Sequence, residues 1–208
     1  ARAGFDGPAA YAEARRRELD AALEAAWASP RRRAYDVSDQ TAAMHLPDLA
    51  RRLADDLADR EAVFTHPYEG GHPDHDAAAF AVAAAVRLLA RAGQPAPARY
   101  EFASYHRAPQ GRVAGVFHAS PGHPETLAAL SPDDRRRKTR ALAAFRTQGD
   151  VGAWFPEGVE RWRPAPDYDF TRAPPPGGCL YDEFGWAMTG EVWRDHARAA
   201  LAELELAP

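Results

Sequence analysis

A short apolar run, a glycine turn and a long alanine-rich run follow one another in the first half of the chain. Ala62–Thr65 has the length and composition of a buried β-strand, and Ala77–Ala92 has those of an α-helix. Between them, Gly70 and Gly71 permit backbone angles that are closed to other residues. This order predicts a β–α unit of a parallel α/β fold, in which ligands bind where strands end and helices begin.

Two histidines three residues apart stand at the start of the predicted helix. His72 and His75 share a helix face at this spacing, and Asp74 lies between them in sequence. The partial positive charge of a helix N-terminus disfavours imidazolium, so we expect neutral rings, as metal ligands must be. Zinc binds imidazole and carboxylate groups, and a catalytic zinc site keeps one position for water. Because one pair of histidines supplies at most two ligands, a surface turn with an aspartate as helix cap stays an alternative.

The remaining patterns predict an α/β fold with Rossmann-like layers, a mostly parallel sheet and an antiparallel edge hairpin. Helical spacing and capping signals predict further helices over residues 6–28, 46–60, 131–148 and 190–206. Alternation predicts strands over residues 33–37, 99–105 and 112–118, the last two joined by a turn at 109–111. In the first helix, we expect Leu19, Leu23 and Trp27 on the buried face.

The 208 residues suit a single domain, with residues 150–180 as a long loop or lid rich in Pro, Gly and Trp. Trp154, Trp162 and Tyr168 in this stretch predict either a stacking platform for a sugar or an anchor to the core. The sequence alone leaves both open.

Composition limits the classes of partner and compartment. The net charge of −4 gives no reason to expect nucleic acid, and no apolar run reaches the roughly 20 residues of a membrane span. Cys179 is the only cysteine, so no disulfide framework can form, which is typical of a reducing cytoplasm. The sequence does not decide between a monomer and a homo-oligomer.

The segment Thr65–His75 resembles the second signature of the PIG-L/LmbE-like family of zinc-dependent N-deacetylases, which act on N-acetylglucosamine-type sugars and related amides. Other landmarks follow in the order of that family. Arg15–Leu19 resembles its Arg-x-x-Glu-Leu helix, Val37–Asp39 the strand end with a substrate-facing aspartate, and Lys138–Gln148 its late helix. The resemblance therefore runs from about residue 15 to residue 148.

This resemblance implies hydrolysis of an N-acetyl group with Zn²⁺ as cofactor. His75 would be the zinc ligand. His72 would stabilise the oxyanion of the tetrahedral intermediate or handle a proton, and Asp74 would orient or tune His72.

The resemblance also implies how an amino-sugar or glycoconjugate substrate would be held. Arg15 and Asp39 would contact the sugar, since a guanidinium and a carboxylate suit hydroxyl groups. The family places a tyrosine close before the first histidine of this signature. Here the corresponding residue is Tyr68, with Gly70 and Gly71 in the nearest positions.

The family's first signature, His-Pro-Asp-Asp-Glu, supplies two zinc ligands and the general base, and nothing in this sequence matches it. We expect it to lie upstream of Ala1 in a longer polypeptide, because the later landmarks are intact. One alternative is a metal-free degenerate relative that acts as a carbohydrate-binding or scaffold protein. Another is an unrelated metal hydrolase that recruits His66, His72 and His75 together.

Overall fold

A computed structural model describes residues 4–175 and 178–208, which divide into two compact units. The first unit comprises the chain up to residue 34 and residues 127–160, and the second comprises residues 35–126 and 161–208. Within the described residues, no helix combines the length and the apolar character that a membrane span requires.

The helices are α1 (Pro8–Ala25), α2 (Leu46–Leu57), α3 (Pro73–Arg91), α4 (Pro132–Ala144), the short α5 (Gly149–Gly152) and α6 (Gly190–Leu204). The strands are β1 (Ala62–Thr65), β2 (Ala98–Phe102), β3 (Tyr105–Ala108), β4 (Gly111–Ala114), β5 (Thr126–Ala129) and β6 (Val159–Pro164). Short 3₁₀ turns occupy Ala42–His45, Arg146–Gln148 and Leu180–Phe184. The predicted α/β class and the antiparallel hairpin are confirmed.

The main sheet has the hydrogen-bonded order β1-β2-β6-β5. Strands β1 and β2 are parallel, with Phe64 opposite Tyr100, whereas β6 is antiparallel to β2, with Arg163 opposite Glu101. The sheet is therefore mixed. Strand β6 lies within the range that the sequence indicated as a long loop, because pairing with β2 satisfies the backbone groups of this stretch.

The predicted turn at residues 109–111 joins β3 to β4, in which Tyr105 pairs with Ala114. The preceding strand, predicted over residues 99–105, is shorter than expected and ends at Phe102. The Ser104 carbonyl instead accepts the Gly115 N–H at 2.7 Å, which starts the hairpin immediately after the sheet. The hairpin thus stands at the end of β2, near the loop that follows β1.

Two local predictions are wrong for identifiable reasons. No strand forms over residues 33–37, because Asp36 adopts a left-handed conformation with φ of 56° and interrupts extended backbone. In α1, the buried residues are Ala14 and Ala22, whereas Leu19 is 38% exposed. Trp27, two residues beyond the end of α1, is 72% exposed. Small side chains, and not the large apolar ones, therefore form the buried face of α1.

The core of the second unit surrounds α3. Six of the alanines between residues 77 and 85 are buried there, and their small volume lets α2 pack closely against α3. A buried ion pair links the neighbouring strands β2 and β6, with Arg163 Nε 2.6 Å from Glu101 Oε1. Tyr168 donates its hydroxyl proton to the same carboxylate at 2.9 Å, so this tyrosine anchors its loop to the core.

Candidate active site

The loop between β1 and α3 depends on two glycines. Gly70 has φ of 71°, a left-handed backbone angle at which a residue with a side chain would be strained. A Cβ atom on Gly71 would lie 1.9 Å from the Tyr105 carbonyl oxygen. The start of the β3–β4 hairpin therefore packs directly against this loop, and only glycine fits at residue 71.

Asp76 holds the same loop from inside helix α3. Its carboxylate accepts the N–H groups of Glu69 and Gly70 at 3.2 and 3.0 Å, and the hydroxyl of Tyr181 at 3.2 Å. The side chain is completely buried, and burial raises the pKa of Asp76 to about 8 although these hydrogen bonds oppose the shift. Sequence reasoning gave Asp76 no role, although an acidic residue at position i+4 from His72 was visible.

His72 is the N-cap of α3, and its conformation fixes its tautomer. Its Nδ1 accepts the Asp74 backbone N–H at 3.2 Å, so the neutral ring carries its proton on Nε2. That Nε2 lies 3.9 Å from Asp39 Oδ1. The side chain of His72 is 17% exposed and that of Asp39 is 69% exposed.

Asp74 connects the start of α3 to the turn that carries Asp39. Its two carboxylate oxygens accept the N–H groups of Gln40 and Ala42 at 2.7 and 3.1 Å. Burial raises the pKa of Asp74, while these hydrogen bonds act in the opposite direction. The possible metal-ligating atoms of Asp39, His72 and Asp74 lie within 4.8 Å of one another. The three residues form what we call the Asp39 cluster.

His75 lies beside this cluster, in a largely buried position. Its ring centroid is 5.1 Å from that of His72, and its Nδ1 is 3.4 Å from Ser104 Oγ. Burial, followed by the neighbouring histidines, holds the pKa of His75 well below its usual value, so the ring is neutral near pH 7. A neutral imidazole with a partner at Nδ1 leaves Nε2 as its ligand atom.

His66 stacks on His75 in nearly parallel fashion, with centroids 3.8 Å apart and an angle of 9° between the rings. Within the described part of the chain, the buried Nδ1 of His66 has no hydrogen-bond partner, and burial lowers the pKa of this ring to about 4. Lone pairs of imidazole nitrogens lie in the ring plane, so two parallel rings do not aim at one ion. This geometry speaks against a centre built from His66, His72 and His75 together.

Two further expected substrate contacts, Tyr68 and Arg15, have partners of their own in the structure. Tyr68 is 3% exposed, its ring stacks on Trp193 with centroids 5.2 Å apart, and its hydroxyl donates to the Arg172 carbonyl at 2.7 Å. Tyr68 therefore lies in the core and not in the pocket, because packing and this hydrogen bond satisfy both ends of the side chain. Arg15 belongs to the first unit, where it contacts Glu18 at 2.9 Å and Thr147 at 3.3 Å.

A buried polar pair next to the site was also missed from the sequence. His106 Nδ1 lies 3.1 Å from Glu69 Oε2, and both side chains are about 95% buried. Together with the contact of Ser104 with His75, this pair joins the β3–β4 hairpin to the loop before α3. A histidine and a carboxylate 37 residues apart carry no local signal that they will meet.

The family model described as PIG-L, GlcNAc-PI de-N-acetylase, matches residues 2–86 of the chain. The match includes Arg15, Asp39 and the segment from His72 to His75, and it ends within α3. It does not reach Lys138–Gln148, so the resemblance of that late helix stays a prediction. Neither the curated proteins nor the solved structures give a match. The match over residues 2–86 is consistent with the PIG-L family, GlcNAc-PI de-N-acetylase, as the motif that ends at His75 predicts.

Proposed function

We propose that this protein is a zinc-dependent hydrolase that removes an N-acetyl group from an N-acetylglucosamine-type sugar or glycoconjugate. The family match supports a deacetylase-like enzyme. The observation that carries the finer proposal is the pair of imidazoles, His72 and His75, at the start of α3. Nδ1 of His72 accepts the Asp74 backbone N–H, and the neutral His75 beside it contacts Ser104 through Nδ1.

In this proposal, His72 acts on the oxygen of the acetyl carbonyl. Its Nε2–H would donate a hydrogen bond to that oxygen as negative charge develops on it. The backbone N–H of Asp74 holds the ring in the required tautomer. The carboxylate of Asp74 acts indirectly, because it fixes the turn that places Asp39 beside His72.

In this proposal the described site supplies one zinc ligand, and the family's first signature would supply the other two. His75 is the proposed ligand, since its ring is neutral and Ser104 engages its other nitrogen. When bound, zinc polarises the amide carbonyl and activates water at neutral pH. The Asp39 cluster supports a second assignment, in which the ion lies between Asp39, His72 and Asp74. In that geometry, however, Nδ1 of His72 and both oxygens of Asp74 already accept backbone N–H groups.

Asp39 is the proposed acceptor for sugar hydroxyl groups, because its carboxylate is largely exposed beside His72. Arg15 remains a proposed sugar contact by resemblance to the family. Tyr68 is left out of the proposal because it lies in the core. A cytoplasmic location is also part of the proposal, supported by the single, buried Cys179.

The test combines zinc content with hydrolysis of N-acetylglucosamine, followed by release of the free amine. We expect His75→Ala to lose zinc. We expect His72→Ala to keep most of its zinc and to lose turnover by about 10²- to 10³-fold, the usual effect of removing an oxyanion donor. The exposed His45 provides a control, and His45→Ala should match the wild type in both measurements.

Three outcomes would contradict the proposal in different ways. If His75→Ala keeps zinc and activity, the ligand assignment is wrong. If Asp39→Asn loses zinc while His75→Ala keeps it, the ion lies in the Asp39 cluster. If the protein takes up no zinc even after addition, hydrolyses nothing and still binds the sugar, it is a carbohydrate-binding relative.

A further inference from the structure

An aromatic pair lies next to His72 without belonging to the core. The Trp186 ring meets His72 edge to face, with centroids 5.3 Å apart and an angle of 71°. Phe184 packs on Trp186 at 5.0 Å and remains 45% exposed. Neither side chain is in the buried cluster around α3. Trp186 is partly buried and Phe184 is exposed, so this pair beside a candidate catalytic imidazole offers an apolar surface to a ligand.

The backbone that carries this pair is fastened to the site loop. The Leu180 N–H donates to the Gly70 carbonyl at 2.7 Å, and Tyr181 donates to Asp76. Gly185 then ends the 3₁₀ turn in a left-handed conformation with φ of 66°, immediately before Trp186. The turn that presents the aromatic pair and the loop that presents His72 therefore share hydrogen bonds, which fixes one against the other.

The side chain of His72 has a second neighbour of opposite character. Its Nε2 faces the exposed carboxylate of Asp39 at 3.9 Å. A pyranose ring has an apolar face of C–H groups and a rim of hydroxyl donors. The first suits an aromatic ring, and the second suits a carboxylate acceptor. An acyclic N-acetyl amine has no apolar ring face.

We propose that Trp186 and Phe184 form a stacking subsite for the apolar face of the sugar ring that carries the scissile amide. This inference rests on the proposed function and names the part of the site that selects a cyclic substrate. Asp39 would bind hydroxyl groups of the same ring. This subsite differs from the stacking platform considered from the sequence, which consists of Trp154, Trp162 and Tyr168.

The first experiment measures binding of N-acetylglucosamine by calorimetry to the wild type, Trp186→Ala and Phe184→Ala. We expect affinity to fall about tenfold for Trp186→Ala, the order of one aromatic stacking contact, and less for Phe184→Ala. Trp186→Phe keeps a ring and should recover most of the affinity. Phe64→Ala removes another exposed aromatic residue, on β1, and serves as the matched control.

The second experiment compares kcat/KM for N-acetylglucosamine with kcat/KM for N-acetylethanolamine, which has no ring. We expect the ratio of the two values to fall about tenfold in Trp186→Ala, mainly through KM for the sugar. An unchanged ratio together with unchanged sugar affinity would overturn the subsite. If the wild type binds the sugar through Trp186 but hydrolyses neither compound, the subsite stands and the proposed hydrolysis fails. If it hydrolyses both and Trp186→Ala behaves as the wild type, the hydrolysis stands and the subsite fails.

Discussion

The hydroxyl of Tyr181 donates a hydrogen bond to Asp76 Oδ2 across 3.2 Å, and both side chains are at most 1% exposed. Through this contact, the turn that precedes α6 is tied to the helix that carries His72 and His75. The same carboxylate also accepts two N–H groups of the loop before α3. Asp76 is therefore the junction on which the shape of the site depends.

Replacing Asp76 by alanine should destabilise the protein strongly. Asp76→Ala leaves the N–H groups of Glu69 and Gly70 buried without a partner, at about 1–3 kcal/mol for each group. The free energy of unfolding in urea measures the effect. Asp55 is exposed on α2, so Asp55→Ala is the control and should change little. Equal losses in the two variants would contradict a special role of Asp76.

Replacing Ser104 by alanine should weaken zinc binding without removing a proposed ligand. Ser104 Oγ contacts His75 Nδ1, and loss of such an outer contact typically lowers metal affinity by about 10- to 100-fold. Competition with a chelator measures the zinc dissociation constant. Ser120 contacts His123 at 3.1 Å in a similar way, so Ser120→Ala is the matched control. A wild-type dissociation constant in Ser104→Ala would mean that this contact does not orient a ligand.

Replacing Gly71 by alanine should distort the site through the β3–β4 hairpin. The added Cβ would meet the Tyr105 carbonyl oxygen at 1.9 Å, and a backbone atom cannot turn aside as a side chain can. We expect a loss of about 1–3 kcal/mol in stability, together with lower zinc content. Thermal unfolding and metal analysis measure the two effects. Gly149 has open space around it, so Gly149→Ala should retain wild-type zinc content.

His118 should make the protein less stable in acid. Burial, followed by the charges of His106 and Arg163, lowers the pKa of His118 to about 4 in the folded state, from its ordinary 6.5. Between these values the unfolded chain binds more protons, so stability should fall as pH drops from 6.5 towards 4. His66 and His75 contribute with the same sign.

Urea unfolding midpoints at pH 7 and pH 4.5 test this expectation. His118→Gln should show a smaller loss between the two pH values than the wild type, because glutamine does not titrate. His45 is exposed, and His45→Gln should keep the wild-type loss. If His118→Gln loses as much stability as the wild type, His118 does not titrate in this window.

Local patterns predicted the parts of the fold that depend on neighbours in sequence. The strand at Ala62–Thr65 is confirmed, and so is the start of the helix predicted from residue 131, where Ser131 is the N-cap and its hydroxyl accepts the Asp134 N–H. The start of α3 at His72 also follows from the Pro and Asp residues after it. These features need only the spacing of apolar residues and a capping side chain.

Contacts between distant residues could not be predicted in the same way. His75 and Ser104 are 29 residues apart, and Asp76 and Tyr181 are 105 apart, so no periodicity relates them. The missing strand at residues 33–37 has a different cause, because the left-handed Asp36 overrides a pattern that otherwise favours extension. The histidines of the site were therefore predictable, whereas the residues that orient them were not.

The fastening of residue 70 to residue 180 also has a consequence for the order in which the chain folds. The motif around His72 leaves the ribosome before Leu180 and Tyr181 do. The hydrogen bonds between this part of the chain and those two residues close a loop of more than 100 residues. Contacts of such long range form late, because the chain must lose conformational entropy to close the loop before the contacts can compensate for that loss. We expect the glycine loop to stay unformed during most of synthesis and to become ordered only when the segment before α6 has emerged.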